Sequence, residues 1–211
     1  MLTLERPAKR RSRPTQAVPD VLIYEVIDGR PLYYRGYGDV LKGKKTTEEI
    51  MGASGLQAFI IDYLLHLCHT RLNWRQYVFL TNEIGNHLGK KNNISGDLYI
   101  YERQALAPDK INNQYVDVPP KIAIEVDVRI DLTDEKNADY VHRKTQKLLD
   151  WGVGKVIWIF TNTRKVTVAE TGKDWITMDW HREIILLDGQ LFNIGAYLEQ
   201  EGIRLEEGNA E

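Results

Sequence analysis

Four side chains stand out by type and spacing: Asp97, Glu125 and Asp127, then Lys144. In the run Lys121-Ile122-Ala123-Ile124-Glu125-Val126-Asp127-Val128-Arg129, apolar residues alternate with acids. Strand periodicity puts Ile122, Ile124, Val126 and Val128 on one face and Ala123, Glu125 and Asp127 on the other, with the two carboxylates roughly 7 Å apart. If that face is covered, the like charges are costly unless a divalent cation lies between them. If it is the wet face of an edge strand, they are ordinary surface acids. The segment alone supports either reading.

Lys144 carries the second signal. It lies three residues after Val141 and four before Leu148, inside the apolar stripe Val141, Leu148, Leu149 of a helix expected over 139–151. An ammonium there must reach water or meet a carboxylate. Pairing with the acidic face of the preceding strand satisfies it, whereas Lys147, at the stripe's flank, reads as solvated. Asp97 begins the run Asp97-Leu98-Tyr99-Ile100-Tyr101 behind the expected loop Asn92-Asn93-Ile94-Ser95-Gly96. Taken alone, it is a turn residue bonded to its own backbone.

The elements that must position these groups follow from local pattern. Val21 to Ile27 and Arg30 to Tyr34 read as strands joined at Asp28-Gly29, an N-terminal β-hairpin. Ser54 and Gln57 have capping-box spacing ahead of a helix whose stripe is Leu56, Phe59, Ile60, Tyr63, Leu64 and Leu67. Strands are expected at 76–81, 97–101, 122–130, 155–161 and 166–170, and Gly152 sits where a left-handed helix cap belongs. That order predicts an α/β (α+β) fold, a mixed β-sheet flanked by helices. His66 and His69 have metal-compatible spacing but no matching pair elsewhere, so they read as solvated or packed. Glu49 reads as a surface acid, and Trp158, Trp175 and Trp180 as packing residues.

Composition sets the bounds. Of the 211 residues, 43% are hydrophobic and 27% charged, which excludes a disordered, collagen-like or coiled-coil chain. The longest apolar run, Val156 to Phe160, is far short of the roughly 18 residues that cross a bilayer, so no membrane partner is expected. Cys68 is the sole cysteine, which rules out an internal disulfide and makes a reducing cytoplasm the expected location. Residues 1–19 carry +4, leaving about −6 for the rest of a chain whose net charge is −2. We therefore expect a flexible basic arm (1–19), one domain (20–200) and an acidic C-terminal tail (201–211). The acidic body argues against coating nucleic acid by bulk charge. It leaves open a nuclease, whose site must itself be acidic to hold metal.

An acid at a strand start, a second acid in the next strand and then a lysine resembles the PD-(D/E)XK nuclease superfamily. Within it, the chain resembles the Uma-two-type restriction endonuclease family. The match takes in Val26-Ile27-Asp28-Gly29, the helix after Ser54, Gly96-Asp97-Leu98 and Ile124-Glu125-Val126. Its most specific block is Lys144 to Val153 running into Lys155-Val156-Ile157-Trp158-Ile159. The resemblance implies a restriction-endonuclease-like sheet, metal binding by Asp97 and Glu125, and catalytic roles for Asp97, Glu125 and Lys144. It departs in two places: Gly96 stands where proline is usual, and Asp127 stands where the superfamily lysine falls. Lys144 resembles the family's migrated lysine.

The expected activity is hydrolysis of DNA phosphodiesters with Mg²⁺ or Mn²⁺ held by Asp97 and Glu125, helped by Asp127. A homodimer would suit cutting both strands. The rival reading is a catalytically inactive nuclease-fold module that binds nucleic acid or protein. A third reading is a metal-dependent hydrolase of small phosphate compounds.

Overall fold

The structure is a computed structural model and describes residues 17–133 and 135–205. Most of the expected basic arm, and residues 206–211 of the expected acidic tail, lie outside the described residues. The chain begins with β1 (Ile23–Ile27) and β2 (Arg30–Tyr33), then α1 (Tyr37–Leu41), α2 (Glu48–Met51) and α3 (Gly55–Arg71). Strands β3 (Tyr77–Thr81), β4 (Asn86–Gly89), β5 (Asn92–Ile94), β6 (Leu98–Glu102) and β7 (Ile122–Val126) follow. Helix α4 (Tyr140–Trp151) leads to β8 (Lys155–Phe160), β9 (Lys165–Glu170) and β10 (Ile176–Asp179). The pair β11 (Ile184–Ile185) and β12 (Leu191–Phe192) precedes α5 (Ile194–Gln200). Among the described residues, no helix is long and apolar enough to cross a membrane.

The main sheet has six strands in the order β10-β9-β8-β7-β6-β3. Only β7 and β8 within it run parallel, and a parallel pair needs a crossover, which α4 supplies. The expected mixed sheet flanked by helices is the one observed. Alternation along the central strands builds two cores. Leu98, Ile100, Ile122, Ile124, Val126, Ile157 and Ile159 face α3 and α5. Tyr99, Tyr101, Ala123, Val156 and Trp158 face α4 and the hairpin.

The hairpin turn is made by Asp28 and Gly29, both at positive φ, as a tight two-residue turn requires. It belongs to a second sheet in the order β2-β1-β5-β4. The stretch read as a loop at 92–96 is therefore partly strand: Asn92–Ile94 pairs with both β1 and β4 and buries Ile94. Both helix boundaries hold. Ser54 Oγ accepts the Gln57 N–H at 3.1 Å, and Gly152, at φ 115°, donates its N–H to the Leu148 and Leu149 carbonyls.

One strand ends earlier than its pattern predicts. β7 stops at Val126 because Asp127 takes φ 62°, a left-handed conformation that Asp tolerates better than most residues. Alternation is reset there. Val128 joins Tyr99, Ala123 and Trp158 in the hairpin-side core rather than Ile122 and Ile124. Trp158 and Trp180 are core residues as expected, while Trp175, half-buried ahead of β10, stacks on His142.

Candidate functional site

Glu125 is the only acid of β7, and it falls on the strand face that looks toward α4. Lys144 comes down from α4 onto the same spot, its side chain buried among the hairpin-side core residues. Its Nζ lies 2.9 Å from Glu125 Oε2, 2.8 Å from Glu25 Oε1 and 2.7 Å from the Ser95 carbonyl. An ammonium has three donors, and all three are used. The rings of Trp158 and Tyr140 lie 5.5 and 5.8 Å from the same nitrogen.

The two glutamates are fixed in turn. Tyr99 donates its hydroxyl to Glu125 Oε1 at 3.0 Å, and Tyr140 donates to Glu25 Oε2 at 2.8 Å. The Ser95 N–H donates to Glu25 Oε1 at 3.0 Å. Two tyrosines, two carboxylates and a lysine thus form one buried chain of charge-assisted hydrogen bonds, and such networks are stable only when every member is satisfied.

Asp97 sits one residue ahead of β6, beside the end of β7. Its Oδ2 accepts the Val126 N–H at 2.7 Å, and its Oδ1 accepts Gln57 Nε2 at 3.2 Å. The same Gln57 nitrogen donates to the Val126 carbonyl at 3.1 Å. Asp97 is therefore a buried cross-link between strands and not the self-bonded turn residue that its position alone suggested. Asp127 points its carboxylate at Thr161, accepting the backbone N–H and the hydroxyl at 2.7 Å each. That capping follows from the left-handed turn, and it keeps Asp127 out of the buried chain, although its charge still acts on Asp97.

Burial sets the electrostatics. Asp97 is pushed up to about 6, chiefly by desolvation and in small part by Asp127, against the Val126 N–H, Lys144 and Gln57. Glu125 is pushed up to about 8 by desolvation, with Asp97 and Glu25 adding to the effect and Lys144 opposing it. For Lys144 desolvation works against the charge, yet Glu125 and Glu25 outweigh it and hold the ammonium protonated.

Besides Tyr99 and Tyr140, three participants escaped the sequence reading. Glu25 shares a strand face with buried Ile27, and an acid on the apolar face of a hairpin was the signal that could have exposed it. Gln57 was read as half of a capping box; its backbone does take the cap, but its side chain goes to Asp97. Ser95 contributes only backbone atoms, which no residue type announces. Lys147, expected to be solvated, pairs with Asp28 of the hairpin turn at 2.7 Å. His66 and His69 are exposed, and the His69 ring packs edge-on against Phe79.

Gly96 has a steric reason. A Cβ there would lie 2.1 Å from the Tyr99 ring, which is fully buried and already committed to Glu125. Beside the buried chain opens a cleft of about 380 Å³, lined among others by Arg35, Lys45, Glu49, Gln57, Asp127 and Arg129.

No protein-family model matches the chain, and no curated protein matches its sequence. Among solved structures, a crystal structure described as "a putative nuclease belonging to DUF820", from Anabaena variabilis, overlays with a TM-score of 0.57. The overlay covers 83% of this chain and 89% of that one, at 12% identity. The two chains share a fold. At that identity the likeness speaks for architecture, the mixed sheet with its flanking helices, and leaves the chemistry to be argued from the residues.

Proposed function

We propose that the protein is a metal-dependent endonuclease that hydrolyses DNA phosphodiesters, akin to the Uma-two-type family of PD-(D/E)XK nucleases. The observation that carries this reading is the convergence of Lys144 with Glu125 at 2.9 Å, next to an Asp97 that is hydrogen-bonded to Val126. Among the described residues, no group of three His, Cys, Asp or Glu side chains is arranged to hold a metal ion. The donor chemistry nevertheless fits a hard cation: the Asp97 and Glu125 carboxylates and the Val126 carbonyl are all oxygen. Gln57 Nε2 already draws one Asp97 oxygen and that carbonyl to within 3.2 Å of a single atom.

Asp97 and Glu125 would hold Mg²⁺ or Mn²⁺, which when bound supplies polarisation of the phosphate and a lowered pKa for the attacking water. Lys144, whose three donors are already taken, would act through space, its fixed positive charge favouring the negative charge that develops on the phosphate oxygens. Glu25, Tyr140 and the Ser95 carbonyl hold that ammonium in place, so little reorganisation accompanies the reaction. Tyr99 orients Glu125 from the other side.

The test is nicking of plasmid and cleavage of single-stranded DNA with Mg²⁺ or Mn²⁺, comparing wild type with Asp97→Asn, Glu125→Gln and Lys144→Met, each first shown to be folded by circular dichroism. The wild type is expected to cleave at least one of the two substrates, and each variant to lose at least about a hundredfold on it, in line with the loss of a positioned charge at the reacting centre. A folded wild type that cleaves nothing, or four equal activities, would overturn the reading. The internal saturation of Lys144 favours a second reading, a non-catalytic nuclease-fold module. Calorimetry showing no Mg²⁺ binding by folded protein would select it.

A further inference from the structure

The body of the chain is acidic, yet one surface loop is not. Lys42, Lys44 and Lys45 follow α1 within four positions and are all exposed. Among the described residues, none of the three ammonium groups has an ion-pair or hydrogen-bond partner. The loop has a defined course: Gly43, at φ 69°, makes the turn, and the Lys44 N–H donates to the Asp39 carbonyl at 2.9 Å. Lys45 forms part of the wall of the cleft whose other side reaches Gln57 and Asp127. Arg35 and Arg129 line the same space.

Charges in that wall are unequally available. Glu49 already accepts the Thr46 N–H at 2.7 Å, and Asp127 accepts both donors of Thr161. Arg35 donates to the Val128 carbonyl, while Arg129 is held by Glu83 and the Met51 carbonyl. A guanidinium has five donors, so both arginines retain capacity for a further acceptor. One unpaired lysine in the wall with two more in the same loop, arginines within and engaged acids suit a flexible polyanion with regularly spaced charges. At about 380 Å³ the cleft is the size of a small-ligand site and has no room for the width of a duplex.

We propose that this cleft seats one phosphodiester unit of a single nucleic-acid strand, with Lys42, Lys44 and Lys45 gripping the flanking phosphates and Arg35 and Arg129 facing the seated one. The inference rests on the nuclease reading for its choice of polymer, since the cleft borders Gln57, which bonds Asp97. It adds a binding surface and a strandedness to that reading.

The experiment is fluorescence anisotropy of a labelled 15-nucleotide DNA strand, and of the matching duplex, in EDTA so that binding is read without cleavage. Full-length wild type is compared with K42A/K44A/K45A and with K110A/K165A/K173A, which removes the same charge elsewhere. The basic residues 1–19 remain in every variant. The loop variant is expected to bind the strand at least tenfold more weakly, and its log-affinity against log-salt slope to flatten by about 2, at about 0.7 per phosphate contact. The control is expected to stay within twofold, and the single strand to bind more tightly than the duplex. Loop and control variants losing equally, tighter duplex binding, or no binding by wild type would each overturn the proposal. Loop-dependent strand binding without any cleavage in Mg²⁺ would instead sustain it and remove the nuclease reading.

Discussion

Lys144 and Glu25, 119 residues apart, form an ion pair 2.8 Å long in which the two side chains expose 1% and 0% of their surface. A pair so deeply buried is held at a desolvation cost, and removing one partner leaves the other charge stranded. Glu25→Ala is therefore expected to destabilise the protein by about 3–5 kcal/mol, read as a lower urea midpoint at unchanged m. Glu25→Gln, which keeps an acceptor for Tyr140, should cost less. A loss below about 1 kcal/mol for the alanine variant would show that the buried chain does not support the fold, since values that small are typical of exposed pairs.

Gln57 should act on the proposed cation site more than on its helix. Its backbone N–H, not its side chain, takes the Ser54 cap, so Gln57→Ala leaves that cap intact. What it removes is the tie between Asp97 and the Val126 carbonyl. The expected outcome is a Mg²⁺ affinity about tenfold weaker by calorimetry, the usual size of a lost supporting hydrogen bond around a metal ligand. Unchanged affinity would detach Gln57 from the site.

Acidity should stabilise the metal-free protein within a defined window. Folded Glu125 keeps its proton up to about 8 and Asp97 to about 6, whereas the ordinary values are 4.5 and 3.8. Across that interval the native state binds more protons than the unfolded chain, so the free energy of unfolding falls as pH rises. Lys144 stays protonated throughout and adds no slope of its own there. Urea midpoints in EDTA are expected to be lower at pH 8.5 than at pH 5, and Glu125→Gln should flatten the difference. A midpoint that climbs with pH would contradict the assignment.

Gly96→Ala should disturb the site through Tyr99. The added methyl would overlap a ring that has nowhere to retreat, at a cost of about 1–3 kcal/mol typical of overpacking. Pulling the Tyr99 hydroxyl off Glu125 should lower activity as well. In the double variant with Tyr99→Leu, the melting temperature should recover part of the loss while activity does not. Strictly additive melting temperatures would rule out this contact as the cause.

Much of this arrangement was legible in the sequence, for identifiable reasons. Lys144 betrayed itself because a cation in an apolar stripe demands a partner, and Glu125 because it lay on the acidic face of the preceding strand that could supply one. The mixed sheet flanked by helices followed from the order of the elements, whereas the parallel β7/β8 pair spanned by α4 came only with the structure. Asp127 misled because a left-handed residue leaves no mark on a pattern of alternation, and it is the backbone turn that sends its carboxylate to Thr161. Glu25 was hidden by distance along the chain. The β4 and β5 strands are short and polar: β5 exists because β1 offers it an edge to pair with, and β4 adds to β5 in turn.

The placement of Glu25 on the first strand has a consequence for how the molecule comes into being. The hairpin leaves the ribosome before α4 does, and its acid has no counterion among the described residues until the α4 lysine has been made 119 residues later. A half-synthesised or truncated chain thus cannot own a finished centre. Cutting off the hairpin would break the buried chain as surely as mutating the lysine itself.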